Sequence, residues 1–176
     1  MLTGNDIAIL LGFLAAAIAL AGFAGIVTSI DRRVAGASSS VISYRVRNLV
    51  FAALSSVFLA IVPILLDTLE VVPVTRWQFA CMIAAMASGG QVIAAFLGRM
   101  AMLAGDGDAG FSRPLFVVNM TLGVITILVA ALGAAGFAAP RGAYYLTLAF
   151  LLYVTCTLFY RIVHMADEAA RASRSG

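Results

Sequence analysis

Between Arg47 and Asp67 the chain reads Asn48-Leu-Val-Phe-Ala-Ala-Leu-Ser-Ser-Val-Phe-Leu-Ala-Ile-Val-Pro-Ile-Leu-Leu66, nineteen residues without a charged side chain. A charge at the centre of a bilayer costs about 2.5 to 3.5 kcal/mol on insertion scales, and ~20 helical residues cross the ~30 Å of hydrocarbon. The stretch therefore reads as a membrane-crossing helix bounded by its own flanking charges. Pro63, near its far end, should kink that helix and free the carbonyl of Leu59. Such a kink serves a gate or, more simply, packing.

Four further charge-free intervals have the same length class: Ile7 to Ile30, Trp77 to Gly98, Pro114 to Pro140 and Gly142 to Tyr160. The fourth exceeds what a crossing needs, so its end from Gly133 to Pro140 is assigned to a turn. The expected fold is all-α, an integral membrane bundle of five transmembrane helices at about 7–30, 48–66, 77–98, 114–138 and 142–160, with a tail over 161–176. Hydrophobic residues make up 63% and charged residues 11% of the 176, and the mean hydropathy is +1.07. Soluble domains carry roughly a quarter charged residues. Five spans leave only short connections, hence a single transmembrane domain over residues 1–176.

All eleven basic residues are Arg. If the first connection faces the cytoplasm, Arg32, Arg33, Arg45, Arg47, Arg99, Arg113, Arg161, Arg171 and Arg174 fall inside and only Arg76 and Arg141 outside. That asymmetry places the N-terminus outside and the C-terminus in the cytoplasm. Met1 to Asp6 lacks a basic n-region and no small-residue cleavage site follows the first span, so that span reads as a retained anchor. The Arg-only, Ala-rich composition suggests a GC-rich genome and a bacterial inner membrane. With a net charge of +3 and Arg at the helix ends, orientation explains the basic residues better than nucleic-acid binding. Trp77, Tyr144 and Tyr145 are expected at the outer interface, Tyr44 and Tyr160 at the inner one.

Segments Arg47 to Met100 and Arg113 to Met165 share a plan of Arg, span, Pro-containing turn, aromatic anchor, span, Arg and Met. Duplication of a helical hairpin explains this, and so do the constraints on any two such hairpins. The connection Asp31 to Arg47 is expected to lie along the membrane surface. Its Arg32, Arg33, Arg45 and Arg47 form a candidate contact for anionic lipid at roughly 1 kcal/mol per charge, although topology accounts for the same charges.

No catalytic, cofactor or metal site emerges. The run Gly105-Asp-Gly-Asp-Ala-Gly110 brings two carboxylates together but lacks the further oxygen ligands of a calcium loop, and reads as a turn. His164 is the single histidine, too few for a bis-histidine haem or a His-rich metal site. Ser38, Ser39 and Ser40 have no paired base. Cys81 and Cys156 fall near opposite ends of their spans, too far apart for a disulfide.

The spans also hold uncharged polar residues at similar depth. Measured from the nearest inner Arg at 1.5 Å per residue, Ser55, Ser56, Gln91, Asn119, Thr121 and Thr155 lie roughly 9 to 14 Å in. They form a candidate polar layer, either interhelical hydrogen-bonding or a polar constriction. No ionisable residue falls deep within a span, which disfavours pumps, proton-coupled carriers and voltage sensors. Gly90, Ala94 and Gly98 recur at four-residue spacing as a close-packing stripe, as do Ala15 and Ala19 on the first span and Gly133 with Phe137 on the fourth. The expected function is therefore non-catalytic: a passive homo-oligomeric channel or, alternatively, an accessory or scaffold subunit of a membrane complex. The expected partners are membrane lipids and either further copies or other membrane subunits.

Overall fold

A computed structural model describes residues 1–35, 40–103 and 113–172. Ser38, Ser39 and the Gly105 to Gly110 run lie outside the described residues, as do the side chains of Arg32, Arg33, Tyr44 and Arg45. The described residues form α1 (Gly4–Ala35), α2 (Ser40–Thr68), α3 (Pro73–Leu103), α4 (Arg113–Ala134) and α5 (Pro140–Ala172), with no strand among them. All five are long and apolar enough to cross a membrane.

The helix ends depart from the charge-free intervals in a consistent way. α1 continues past Asp31 to Ala35, α2 starts at Ser40, and α5 runs through the tail to Ala172. A charged side chain ends the part of a helix that lipid tolerates, but Arg is a good helix former and does not end the helix. The described part of the stretch from Asp31 to Arg47, expected along the membrane surface, is helical and extends α1 and α2. α4 stops earlier than residue 138, because Gly136 takes a left-handed φ of 80°. Its N–H donates to the carbonyl of Gly133 at 3.2 Å, and that of Phe137 to Leu132 at 2.9 Å, the pattern of a glycine C-cap. Pro73 and Pro140 open α3 and α5, where a missing N–H loses nothing. α1 begins with a reciprocal cap: the Asp6 N–H donates to Thr3 Oγ1 at 3.2 Å and the Thr3 N–H to the Asp6 carboxylate at 3.1 Å.

Successive helices run antiparallel. The starts of α1, α3 and α5 and the ends of α2 and α4 gather at one end of the bundle, hereafter the Asp6 end, opposite the Arg161 end. α5 packs against every other helix, whereas α1 touches only α2 and α5 among the described residues. The core that joins them includes Leu10, Leu59, Trp77, Cys81, Tyr144 and Leu148 towards the Asp6 end and continues along α5 to Leu151 and Val154.

Trp77 and Tyr144, expected at the outer interface, are both buried inside the bundle. The Trp77 indole meets Tyr144 and Tyr145 edge to face, with ring centroids 5.7 and 5.6 Å apart. The reason lies in Pro63. Lacking an N–H, it leaves the carbonyl of Leu59 without its helical donor, and the Tyr144 hydroxyl donates to that carbonyl from α5. The tyrosine is drawn inward by an acceptor that cannot be left bare in an apolar interior.

Glycine contacts separate the two expected close-packing sites. A Cβ on Gly133 would lie 2.8 Å from the Ala143 Cβ and 3.1 Å from Cys81 Sγ, whereas one on Gly90 meets nothing within 4 Å. Gly133 is therefore where α4 closes on α3 and α5, while Gly90 is not a point of close approach. Gly133→Ala should destabilise the protein by about 1 to 3 kcal/mol through overpacking. Gly90→Ala should be stabilising by roughly 0.5 to 1 kcal/mol through helix propensity alone. Thermal unfolding of the two variants side by side in one detergent checks the opposite signs.

Candidate functional site

On α3, Ser88 and Gln91 are three residues apart and so share a face. Both are buried, Gln91 at 4% exposure. The Gln91 Nε2 donates to the carbonyl of Asn48 on α2 at 3.4 Å, which fixes the amide and leaves Oε1 pointing elsewhere. That Oε1 is buried and accepts no hydrogen bond, and neither does Oδ1 of Asn119 on α4. The Ser88 hydroxyl is likewise buried and unpaired. Native structures hold few such atoms, because each costs about 1 to 3 kcal/mol when left without a partner.

Gln91 and Asn119 open onto the same cleft, between α3, α4 and α5 with Asn48 of α2 behind. The cleft measures about 610 Å³ including its open mouth. Phe116, Met120, Phe150, Val154 and Leu158 make its apolar walls, and the half-buried Arg161 lines it from α5. Towards the Asp6 end the three helices pinch together: a Cβ on Gly123 would come within 2.6 Å of Val92 and 3.3 Å of Phe150. Towards the Arg161 end the Arg99 guanidinium lies over the Phe116 ring, 4.2 Å from its centroid, a cation-π contact that holds this wall in place. Beyond the α3–α4 seam, and sharing Val92, Phe116 and Met120 with the cleft, runs an open apolar groove of about 850 Å³ including the open space over it.

Of the six polar-layer residues, Gln91 and Asn119 meet at this cleft. Ser56 and Thr155 are buried but donate to their own helices, to the Ala52 carbonyl at 3.0 Å and the Leu151 carbonyl at 2.8 Å. Ser55 is half-buried and does not line the cleft, and Thr121 is exposed on the groove side of α4. Depth alone does not choose a face. At about 100° per residue, Asn119 and Thr121 point roughly 200° apart, so they cannot serve one cavity. Of the Arg residues offered as a lipid contact, Arg47 is exposed and the side chains of the other three lie outside the described set.

Asn48, Ser88 and Arg161 escaped the sequence reading. Asn48 follows Arg47 and Arg161 closes the last span, so both were read as boundary markers. The chemistry they add is specific in kind. Amides donate and accept hydrogen bonds and a guanidinium only donates them, and near neutral pH neither exchanges protons. Side chains of this kind suit holding and orienting a ligand by hydrogen bonds.

The Asp6 end holds a set of ionic contacts. Arg76, 3% exposed, pairs with Asp67 at 2.5 Å and donates to the Val71 carbonyl at 2.9 Å. Arg141 pairs with Asp6 at 2.7 Å, and the Tyr145 hydroxyl donates to the same carboxylate at 2.5 Å. The amino terminus approaches Asp67 at 3.7 Å. These contacts clamp α1, α2, α3 and α5 together over the core at that end. Cys81 donates to the Pro140 carbonyl at 3.0 Å and is a free thiol, as is the exposed Cys156.

Comparison with known proteins leaves the cleft to be read on its own chemistry, since no protein-family model, no curated protein and no solved structure matches this chain.

Proposed function

We propose that this chain is a non-catalytic multi-pass protein of the bacterial inner membrane, N-terminus outside, that acts by holding a ligand in the cleft at its Arg161 end. The observation that carries this reading is the pair of buried acceptors without partners, Gln91 Oε1 and Asn119 Oδ1, on two side chains that line one cleft. The nine-to-two distribution of Arg favours a cytoplasmic Arg161 end, and so a cleft that opens towards the inner leaflet. Passage of a solute through one subunit is opposed by the core of Trp77, Tyr144 and Leu59. A passive pore would therefore have to run between copies, and a binding cleft suits an accessory component of a membrane complex better.

The test is to extract the protein gently from its native membrane and weigh the intact complex by native mass spectrometry. The expected result is the 18.3 kDa chain, or a multiple of it, carrying a discrete non-protein mass that the Gln91→Leu/Asn119→Leu variant loses. A folded wild-type protein that carries no such mass would contradict the proposal. Foreign subunits in the same complex would establish the accessory role.

A further inference from the structure

We infer that α5 carries a docking surface for a second copy of this chain, and that two copies pair in parallel along it with their Tyr153 hydroxyls bonded to each other inside the membrane. The surface lies apart from the cleft and does not depend on it.

From Gly142 to Tyr160, α5 is exposed at Gly142, Leu146, Ala149, Tyr153, Cys156 and Tyr160 and at no other position. The steps alternate between four and three residues, the spacing of the contact seam in a left-handed pair of helices. Along that seam Gly142, Ala149 and Cys156 alternate with the larger Leu146, Tyr153 and Tyr160. α1 and α4 both pack on α5 and do not touch each other among the described residues. No helix of the same chain covers the seam.

Lipid is a poor partner for it at Tyr153. That residue is 39% exposed and lies eight positions from Arg161, ~12 Å along the helix. Its hydroxyl has no hydrogen-bond partner among the described residues, and hydrocarbon supplies none. A helical tyrosine leans towards the N-terminus of its own helix, which here carries the hydroxyl towards the bilayer centre and away from the headgroups. Tyr160 has no such need. Stacked on His164 with ring centroids 5.9 Å apart, it sits next to Arg161 at headgroup level.

A second copy meets the need of Tyr153. In a parallel pair about a two-fold axis, each seam residue faces its own counterpart at the same depth. A phenolic hydroxyl both donates and accepts, so two Tyr153 side chains complete one hydrogen bond between them. The small layers at Gly142, Ala149 and Cys156 let the backbones come close enough to make it. A foreign helix would have to carry a polar group at this one depth, whereas a copy of the chain supplies it by symmetry.

Cys156 lies in the seam and reports on it directly, because the other cysteine, Cys81, is buried. The full chain is reconstituted in liposomes at high lipid dilution and oxidised by air with copper phenanthroline. The expected product is a disulfide-linked species of twice 18.3 kDa. A Cys156→Ser/Leu128→Cys variant moves the thiol to an α4 position exposed at 58% and away from the seam, and should give only the trace that chance collision produces. Tyr153→Phe should weaken pairing about tenfold in an energy-transfer titration against lipid dilution, the scale of one interhelical hydrogen bond. Its melting temperature as a monomer in detergent should not change, since the hydroxyl has no partner within its own chain.

Cross-linking from position 128 as strong as from Cys156 would overturn the inference, and so would no cross-link from Cys156 or pairing that Tyr153→Phe leaves at full strength. A Cys156 adduct to a different protein in native membranes, in place of the dimer, would overturn it in favour of a foreign subunit. None of these failures bears on the cleft, which the mass of the native complex tests separately.

Discussion

Asp6→Ala should destabilise the bundle by about 2 to 4 kcal/mol, the largest single effect expected at the Asp6 end. The carboxylate is 3% exposed and accepts from the Thr3 hydroxyl at 2.6 Å, the Tyr145 hydroxyl at 2.5 Å and the Arg141 guanidinium at 2.7 Å. Removing it takes a partner from all three and the carboxylate half of the reciprocal α1 cap, while the Thr3 hydroxyl still accepts from the backbone N–H of residue 6. The loss stays below the extreme for buried pairs because Arg141 is 46% exposed and can turn to water. Asp6→Asn keeps an acceptor for Thr3 and Tyr145 and should lose about half as much. Arg141→Ala should cost no more than ~1 kcal/mol, as an exposed partner does. Chemical or thermal unfolding in one detergent ranks the three variants. An Arg141→Ala loss equal to that of Asp6→Ala would mean that the ion pair, and not the buried hydrogen-bond set, carries the stability.

Tyr144→Phe should cost about 1 to 3 kcal/mol, because it leaves the Leu59 carbonyl in an apolar interior with no donor. The cost should depend on Pro63. In a Pro63→Ala background the residue at position 63 regains an N–H, the helical bond to Leu59 re-forms, and the tyrosine hydroxyl becomes dispensable there. The double-mutant cycle should therefore show a coupling of about 1 kcal/mol or more, with Tyr144→Phe milder once proline is gone. Strictly additive losses would show that the hydroxyl matters for some reason other than the proline.

Sequence alone was sufficient for the number and type of elements and insufficient for their faces. Charge-free intervals locate the apolar crossings Val46 to Thr68, Pro73 to Ala101, Arg113 to Ala134 and Pro140 to Arg161 to within a few residues, and Gly4 to Phe23 less closely at its end, because the penalty for a charge in hydrocarbon dwarfs any local propensity. The freed Leu59 carbonyl was legible too, since a proline removes one known donor at one known position. Its partner was not, because Tyr144 is 85 residues away on a helix whose rotation the hydropathy does not set. The same limit hid the cleft. In lipid the outward face is as apolar as the core, so the amphipathic signal that orients a helix in a soluble protein is weak here. Asn119 and Thr121 therefore look equivalent in sequence and part company in space, one into the cleft and the other onto the groove. Asp6, Asp67, Arg76 and Arg141 mark span boundaries in sequence, and that role concealed the pairs they make.

The most direct test of the cleft as a binding site is photo-crosslinking in intact native membranes. A photoreactive phenylalanine analogue is placed at Phe116, on the cleft wall, or at Leu128, exposed at 58% on the outer face of the same helix. The expected result is a single discrete adduct mass from position 116 and, from position 128, the broad mixture of masses that bulk lipid gives. The same broad mixture from both positions, or no adduct from position 116, would contradict a cleft that selects and holds its ligand.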